Sequence, residues 1–140
     1  MRLGKTSKKQ VDKVRRDVFA RDGEQCVVAG TNMRLVWPCA GVLTIQHRIG
    51  RGMGSSAKYD APNSLLAFCA FHNQLETSDA NFARYCRRYG WSVPRWVADR
   101  EMMSRVPVYY GDAWYLLDSF YRFEIPESSA LDLMNEVYGG

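Results

Sequence analysis

Between residues 7 and 21 the apolar positions Val11, Val14, Val18 and Phe19 recur at helical spacing, Ser7 and Gln10 stand as a capping box, and Gly23 supplies a stop. The pattern predicts an amphipathic helix with a basic outer face. From Gln25 it changes to short β-type runs: CVV at 26–28, RLVW at 34–37 after Gly30, Thr31 and Asn32, and VLTIQ at 42–46 after Cys39, Ala40 and Gly41. These runs predict a small antiparallel hairpin or meander. The third passes through Gln46, His47 and Arg48 into IGRGMGSSAKYDAPN, a stretch of Gly, Ser and basic residues that predicts a loop of functional length. Apolar residues return in SLLAF, and helix-compatible sequence runs from about Ala70, restarting near Ser78, to Arg88 before Gly90. VPVYY and AWYLL flank Gly111 and Asp112 as a second hairpin, and SSALDLMNEVY predicts a terminal helix begun at Ser128 or Ser129. No internal repeat is apparent.

Length and composition narrow this to one folded domain: 140 residues, 46% hydrophobic and 13% aromatic, with no low-complexity bias. No apolar run reaches the roughly 18 residues of a membrane helix, and the first residues lack the apolar stretch of a secretory signal, so a cytoplasmic protein without membrane contact is expected. Charge changes the picture more. Residues 1–21 carry eight Lys or Arg against Asp12 and Asp17, a sum of +6, whereas residues 111–140 carry six acids against Arg122, a sum of −5. A basic head suits a polyanion, because each neutralised phosphate releases counterions. The four cysteines, Cys26, Cys39, Cys69 and Cys86, include no pair separated by two residues, which excludes an intact zinc ribbon; disulfides are not expected in a cytoplasmic chain, and all four are read as small, mostly buried hydrophobes. The tryptophans Trp37, Trp91, Trp96 and Trp114 are read as core.

The chain has only two histidines. His47 ends an apolar run, His72 enters a helical one, and Asn63 lies between them. This order, together with LTIQHRIGRGMGSS, APNSLLAFCAFHNQLE, ARYCRRYGWSVP and PVYYGDAWYLL, resembles the HNH endonucleases of actinobacteriophages and their hosts, over roughly residues 14–117. The resemblance implies an α+β protein with a ββα-metal (HNH, or His-Me finger) core, a basic N-terminal helix, a C-terminal hairpin and a terminal helix. Residues 1–123 would be the nuclease domain and 124–140 an acidic extension.

It also implies roles. His47 corresponds to the general base that deprotonates the attacking water, a task that suits an imidazole whose ordinary pKa is about 6.5. Asn63 corresponds to the central Asn that orients the base. His72 corresponds to a ligand of one divalent cation (Mg²⁺, Mn²⁺, Ni²⁺ or Zn²⁺), with Gln46 and Glu76 as further ligands. Gln46 stands where many HNH enzymes have Asp and is the weaker ligand for a hard cation. Many HNH proteins also brace the fold with two CxxC pairs, the second immediately before the final His. Counted back from His72 those positions hold Phe68 and Phe71, and the first pair reads Cys26 to Ala29. No structural zinc is therefore expected; Phe68, Phe71, Ala29 and Cys26 are expected to pack as an apolar cluster instead.

DNA contacts are expected from Arg48, Arg51 and Lys58 around the glycine-rich loop and from Lys9, Lys13 and Arg16 on the first helix, with Arg84, Arg87 and Arg88 as a further basic cluster. The function the resemblance implies is a metal-dependent DNA endonuclease working in a bacterial host cell, linked to phage packaging, with a terminase or another partner docked on the acidic C-terminus. The rival reading is an HNH-derived module that binds DNA or protein without cutting.

Overall fold

The computed structural model describes residues 7–50 and 59–139. Arg51 and Lys58, and most of the glycine-rich loop, lie outside the described residues. Five α-helices and two small antiparallel sheets among the described residues make the protein α+β. No helix of them is long and apolar enough to cross a membrane.

Helix α1 spans Lys8–Arg21, and the Ser7/Gln10 capping box is formed. Val18 is fully buried, while Lys9, Arg15 and Arg16 face solvent and Lys13 pairs with Asp17 at 2.7 Å. The two β-type runs after Gln25 do not form strands. Residues Val27–Gly30 and Asn32–Leu35 are 3₁₀ turns, because the Thr31 hydroxyl caps the second turn by accepting from Met33 N, and it donates back to Val28 O. Local side-chain bonding here outcompetes β propensity.

Strands β1 (Leu43–His47) and β2 (Leu65–Cys69) pair antiparallel, with His47 opposite Leu65 and Leu43 opposite Cys69. β2 is buried along its whole length, as its unbroken apolar run requires. It leads directly into α2 (Ala70–Ser78), and α3 (Ala80–Arg88) follows after Asp79, whose carboxylate caps α3 by accepting from Asn81 N and Phe82 N. The restart falls one residue beyond Ser78. After the short α4 (Arg95–Asp99), β3 (Val108–Tyr109), β4 (Trp114–Asp118) and β5 (Tyr121–Ile125) form a meander, and α5 (Glu127–Tyr138) closes the chain. The 123/124 division therefore falls inside β5. The segment beyond it is folded in, with Ala130 and Val137 buried and Glu136 paired to Arg105.

The main core joins Phe68, Phe82 and Trp91 to Leu66, Val108 and Leu117; a smaller one gathers Ile49, Val93, Val97 and Val137. Of the four tryptophans, Trp91 and Trp114 are buried, Trp37 is half-buried and Trp96 is exposed.

Two buried arginines tie these layers together. Arg21 bonds Asp22 and the carbonyls of Pro62 and Leu65, while Asp22 accepts from Ala67 N and Tyr110 Oη, joining α1, β2 and the turn before β3's partner. Arg48, expected as a phosphate contact, is instead fully buried. Its Nε donates to Gly90 O at 2.7 Å, and its two terminal nitrogens donate to Asn63 O at 2.7 Å and Val106 O at 3.0 Å. Gly90 has φ +76°, and a Cβ there would run into the Pro107 carbonyl, so glycine is required where the guanidinium receives its acceptor. Burial pulls the Arg48 pKa down to about 10, which still leaves it charged at neutral pH. No phosphate can reach it.

Replacing Arg48 by Met should orphan three carbonyls at once and lower the unfolding free energy by about 3 kcal/mol, measured by urea denaturation. A variant as stable as the unmodified chain would show that the guanidinium does not hold this junction.

Candidate metal cluster and histidine pocket

Cys26, Cys39, Cys69 and His72 converge so that their ligand atoms all lie within 4.8 Å of one another. Each comes from a different stretch: Cys26 precedes the first 3₁₀ turn, Cys39 follows the second, Cys69 ends β2, and His72 lies in the first turn of α2. His72 Nδ1 is 3.4 Å from Cys26 Sγ, 3.6 Å from Cys39 Sγ and 3.2 Å from Cys69 Sγ. A tetrahedral ion with metal–sulfur bonds of about 2.3 Å and a metal–nitrogen bond of about 2.0 Å would set N to S separations of about 3.6 Å. The spacing fits.

The surroundings are those of a ligand. His72 is fully buried, and its Nε2 lies 2.6 Å from the Trp37 carbonyl, so Nε2 carries the proton and Nδ1 presents its lone pair to the sulfurs. Phe82 stacks on the ring, with centroids 5.3 Å apart at 18°. Cys69 caps α2, and its Sγ accepts from His72 N at 3.4 Å. Burial pushes the thiols of Cys26 and Cys39 up and the His72 imidazole down, which favours the neutral form of each of these three. Three thiolates and a neutral imidazole are a soft donor set, and the cluster can hold a metal ion.

The cysteines Cys26, Cys39 and Cys69, read from the sequence as having no metal-binding role, instead form with His72 a cluster that could hold a metal ion, and His72 turns Nδ1 to their sulfurs. Phe68, Phe71 and Ala29 do lie in or against the main core, but Cys26 turns its thiol to His72. The search for CxxC pairs missed the signal, because the second pair is Cys69-x-x-His72. Cys86, buried among apolar residues, stands outside the cluster.

His47 lies at the other end of the ladder. Four residue steps separate it from the β1 residue opposite Cys69, on the order of 14 Å. It cannot share a cation with His72. Its Nε2 is 3.2 Å from Asp60 Oδ1, a residue not singled out from the sequence. The pair opens on a pocket of ≈ 250 Å³ walled by Val11, Val14, Arg15, Ile45 and Leu65, so α1 supplies one side of the site. Asn63 is brought close in the fold, two residues before Leu65, and Arg48 holds its carbonyl. Gln46 is 2% exposed and, as the neighbouring strand residue, points to the face of β1 opposite His47. Glu76 lies one turn after His72 and acts electrostatically on Cys86. Gln46, Glu76 and His72 are thus not assembled with His47, and among the described residues no group of three or more His, Cys, Asp and Glu surrounds it.

Protein purified without chelator should carry one tightly bound metal ion per chain by elemental analysis. Cys69→Ser should lose it, whereas Cys86→Ser should retain it; equal metal content in the two variants would refute the cluster as a ligand set. No protein-family model, no curated protein and no solved structure matches the chain.

Proposed function

We propose that the protein is a metal-dependent DNA endonuclease of HNH type, in which His47 is the general base and the Cys26, Cys39, Cys69 and His72 cluster is a structural zinc site. The observation that carries the hydrolytic reading is the pairing of His47 with Asp60 at the end of β1, open to a pocket beside a basic helix. The β1, β2, α2 order supports a ββα reading of this region.

Zinc is favoured for the cluster by its sulfur-rich, four-donor composition, which is closed to further ligands and suits a brace. Taking Cys69 and His72 as the second ligand pair moves the position immediately after it, the final letter of the motif, to Asn73. Both protons of the Asn73 amide are committed to β1, to Thr44 Oγ1 at 2.8 Å and Ile45 O at 2.9 Å. What the side chain still offers is Oδ1, an oxygen donor suited to a hard cation.

In this reading Asp60 orients the imidazole of His47, which takes a proton from water as it attacks phosphorus. Asn63 positions the loop that carries the base. Arg15 lies on the pocket wall where it would neutralise a phosphate, and Lys9, Lys13 and Arg16 extend that surface along α1. A divalent cation, when bound, would supply Lewis-acid stabilisation of the departing 3′ oxygen.

The second reading, a module that binds DNA without cutting, is favoured by the burial of Gln46 and by the commitment of His72 to the thiols. Relaxation of a supercoiled plasmid with Mg²⁺, Mn²⁺, Ni²⁺ or Zn²⁺ separates the two. The endonuclease should nick with at least one of them; His47→Ala should reduce the rate by about 100-fold or more and Asp60→Asn by about tenfold. No cleavage with any of the four ions, while the plasmid is still bound, would leave the binding module.

A further inference from the structure

A second groove lies away from His47, between the Met33–Trp37 segment and α3. It encloses ≈ 490 Å³ and is lined by Met33, Val36, Trp37, Asn81, Arg84, Tyr85 and Arg88. The volume falls among those of pockets that hold small organic groups. Its walls are aromatic: Trp37 and Tyr85 meet edge to face with centroids 6.0 Å apart, and Tyr85 stacks on Tyr89, also at 6.0 Å. Its rim is cationic. Arg84 and Arg88 stand one helical turn apart, about 6 Å along the axis, and Arg87 extends the ridge into a neighbouring trough of ≈ 620 Å³ beside Ser92 and Pro94.

Charge decides what fits. On α1, Lys8 and Lys13 are held by Asp12 and Asp17, and Arg105 is held by Glu136. Among the described residues Arg84, Arg87 and Arg88 form no ion pair; Arg84 donates to the neutral amide of Asn81. No acid lines either trough. Uncompensated guanidinium groups over a half-buried aromatic slot match a phosphate chain whose bases are free to stack. In a continuous duplex the base faces are occupied by their neighbours, and only an unpaired base can lie against Trp37 and Tyr85.

We propose that this groove is a second nucleic-acid site, which takes an unpaired nucleotide of a DNA strand with its base against Trp37 and Tyr85 and its phosphates on Arg84 and Arg88. The proposal rests on the nucleic-acid reading given above, though not on hydrolysis. The Trp37 carbonyl that receives His72 Nε2 ties the groove wall to the metal cluster.

The test is fluorescence anisotropy of a labelled oligothymidylate and of a blunt duplex of the same length, with the full chain carrying His47→Ala and no added divalent cation. Tyr85→Leu should weaken single-strand binding about tenfold and change duplex binding less than twofold. Arg84→Gln with Arg88→Gln, both exposed and expected to fold, should weaken it further and flatten the salt dependence by about 1.4 in log–log slope, from two phosphate contacts. Unchanged single-strand affinity in the double variant would overturn the proposal. So would displacement of the oligonucleotide by polyglutamate at equal charge concentration, which would mark the groove as an acidic-peptide site. Plasmid nicking by the unmodified chain is read separately, so a binder that does not cut supports the groove alone, and a cutter with unaltered single-strand binding refutes the groove alone.

Discussion

A two-stranded ladder of five residues per strand does not persist unaided in water, and the β1/β2 pair is such a ladder. Everything near His47 depends on what clamps it. At the His47 end the clamp is Arg48, whose guanidinium gathers carbonyls from three separate segments while its own backbone bonds Ser64 O and Val93 N. A fully buried cation is tolerable only when its donors are matched, and here the acceptors are backbone groups that would otherwise be buried without partners. Arg48, the residue after His47, thus fixes where the imidazole stands.

At the opposite end the clamp is the cysteine and histidine cluster. Two of its four members, Cys26 and Cys39, come from a segment with neither strand nor α-helix, while Cys69 and His72 come from β2 and α2. Residues 26–42 run as turns over the core, burying Val27 and Val28 but exposing Leu35, Val36 and Val42. So little apolar burial gives a weak hold, and a metal ion shared with Cys69 and His72 would supply the rest. The same arrangement positions Trp37, one wall of the groove beside α3.

The two ends therefore differ in chemistry. The buried, sulfur-rich end gathers soft donors that could hold a metal ion. The His47 end places an imidazole and a carboxylate beside a basic helix and opens on a pocket. The Arg21 and Asp22 pair joins α1 to β2 between them, which is why a helix of modest intrinsic stability can serve as a wall of the His47 pocket.

Patterns that depend on near neighbours were legible in the chain: the capping box of α1, the buried run of β2, the hairpin across Gly111 and the terminal helix, though not the third strand, Tyr121–Ile125, that extends the hairpin to a meander. The position of His47 at a strand end and the closeness of Asn63 to that end also follow from local order. Cys26 and Cys39, thirteen residues apart, become co-ligands only when two 3₁₀ turns fold them over α2, and the ring of His72 faces them rather than His47 because Cys69 starts the helix. Arg48 reads as a surface cation until the fold surrounds it with carbonyls. The amino-acid order by itself determined the elements whose spacing and caps act within a few residues, though not the 3₁₀ turns at 27–35, where the Thr31 hydroxyl overrides a β-type pattern. Only the tertiary structure decided which polar side chains meet, because that depends on contacts between segments that no local pattern encodes.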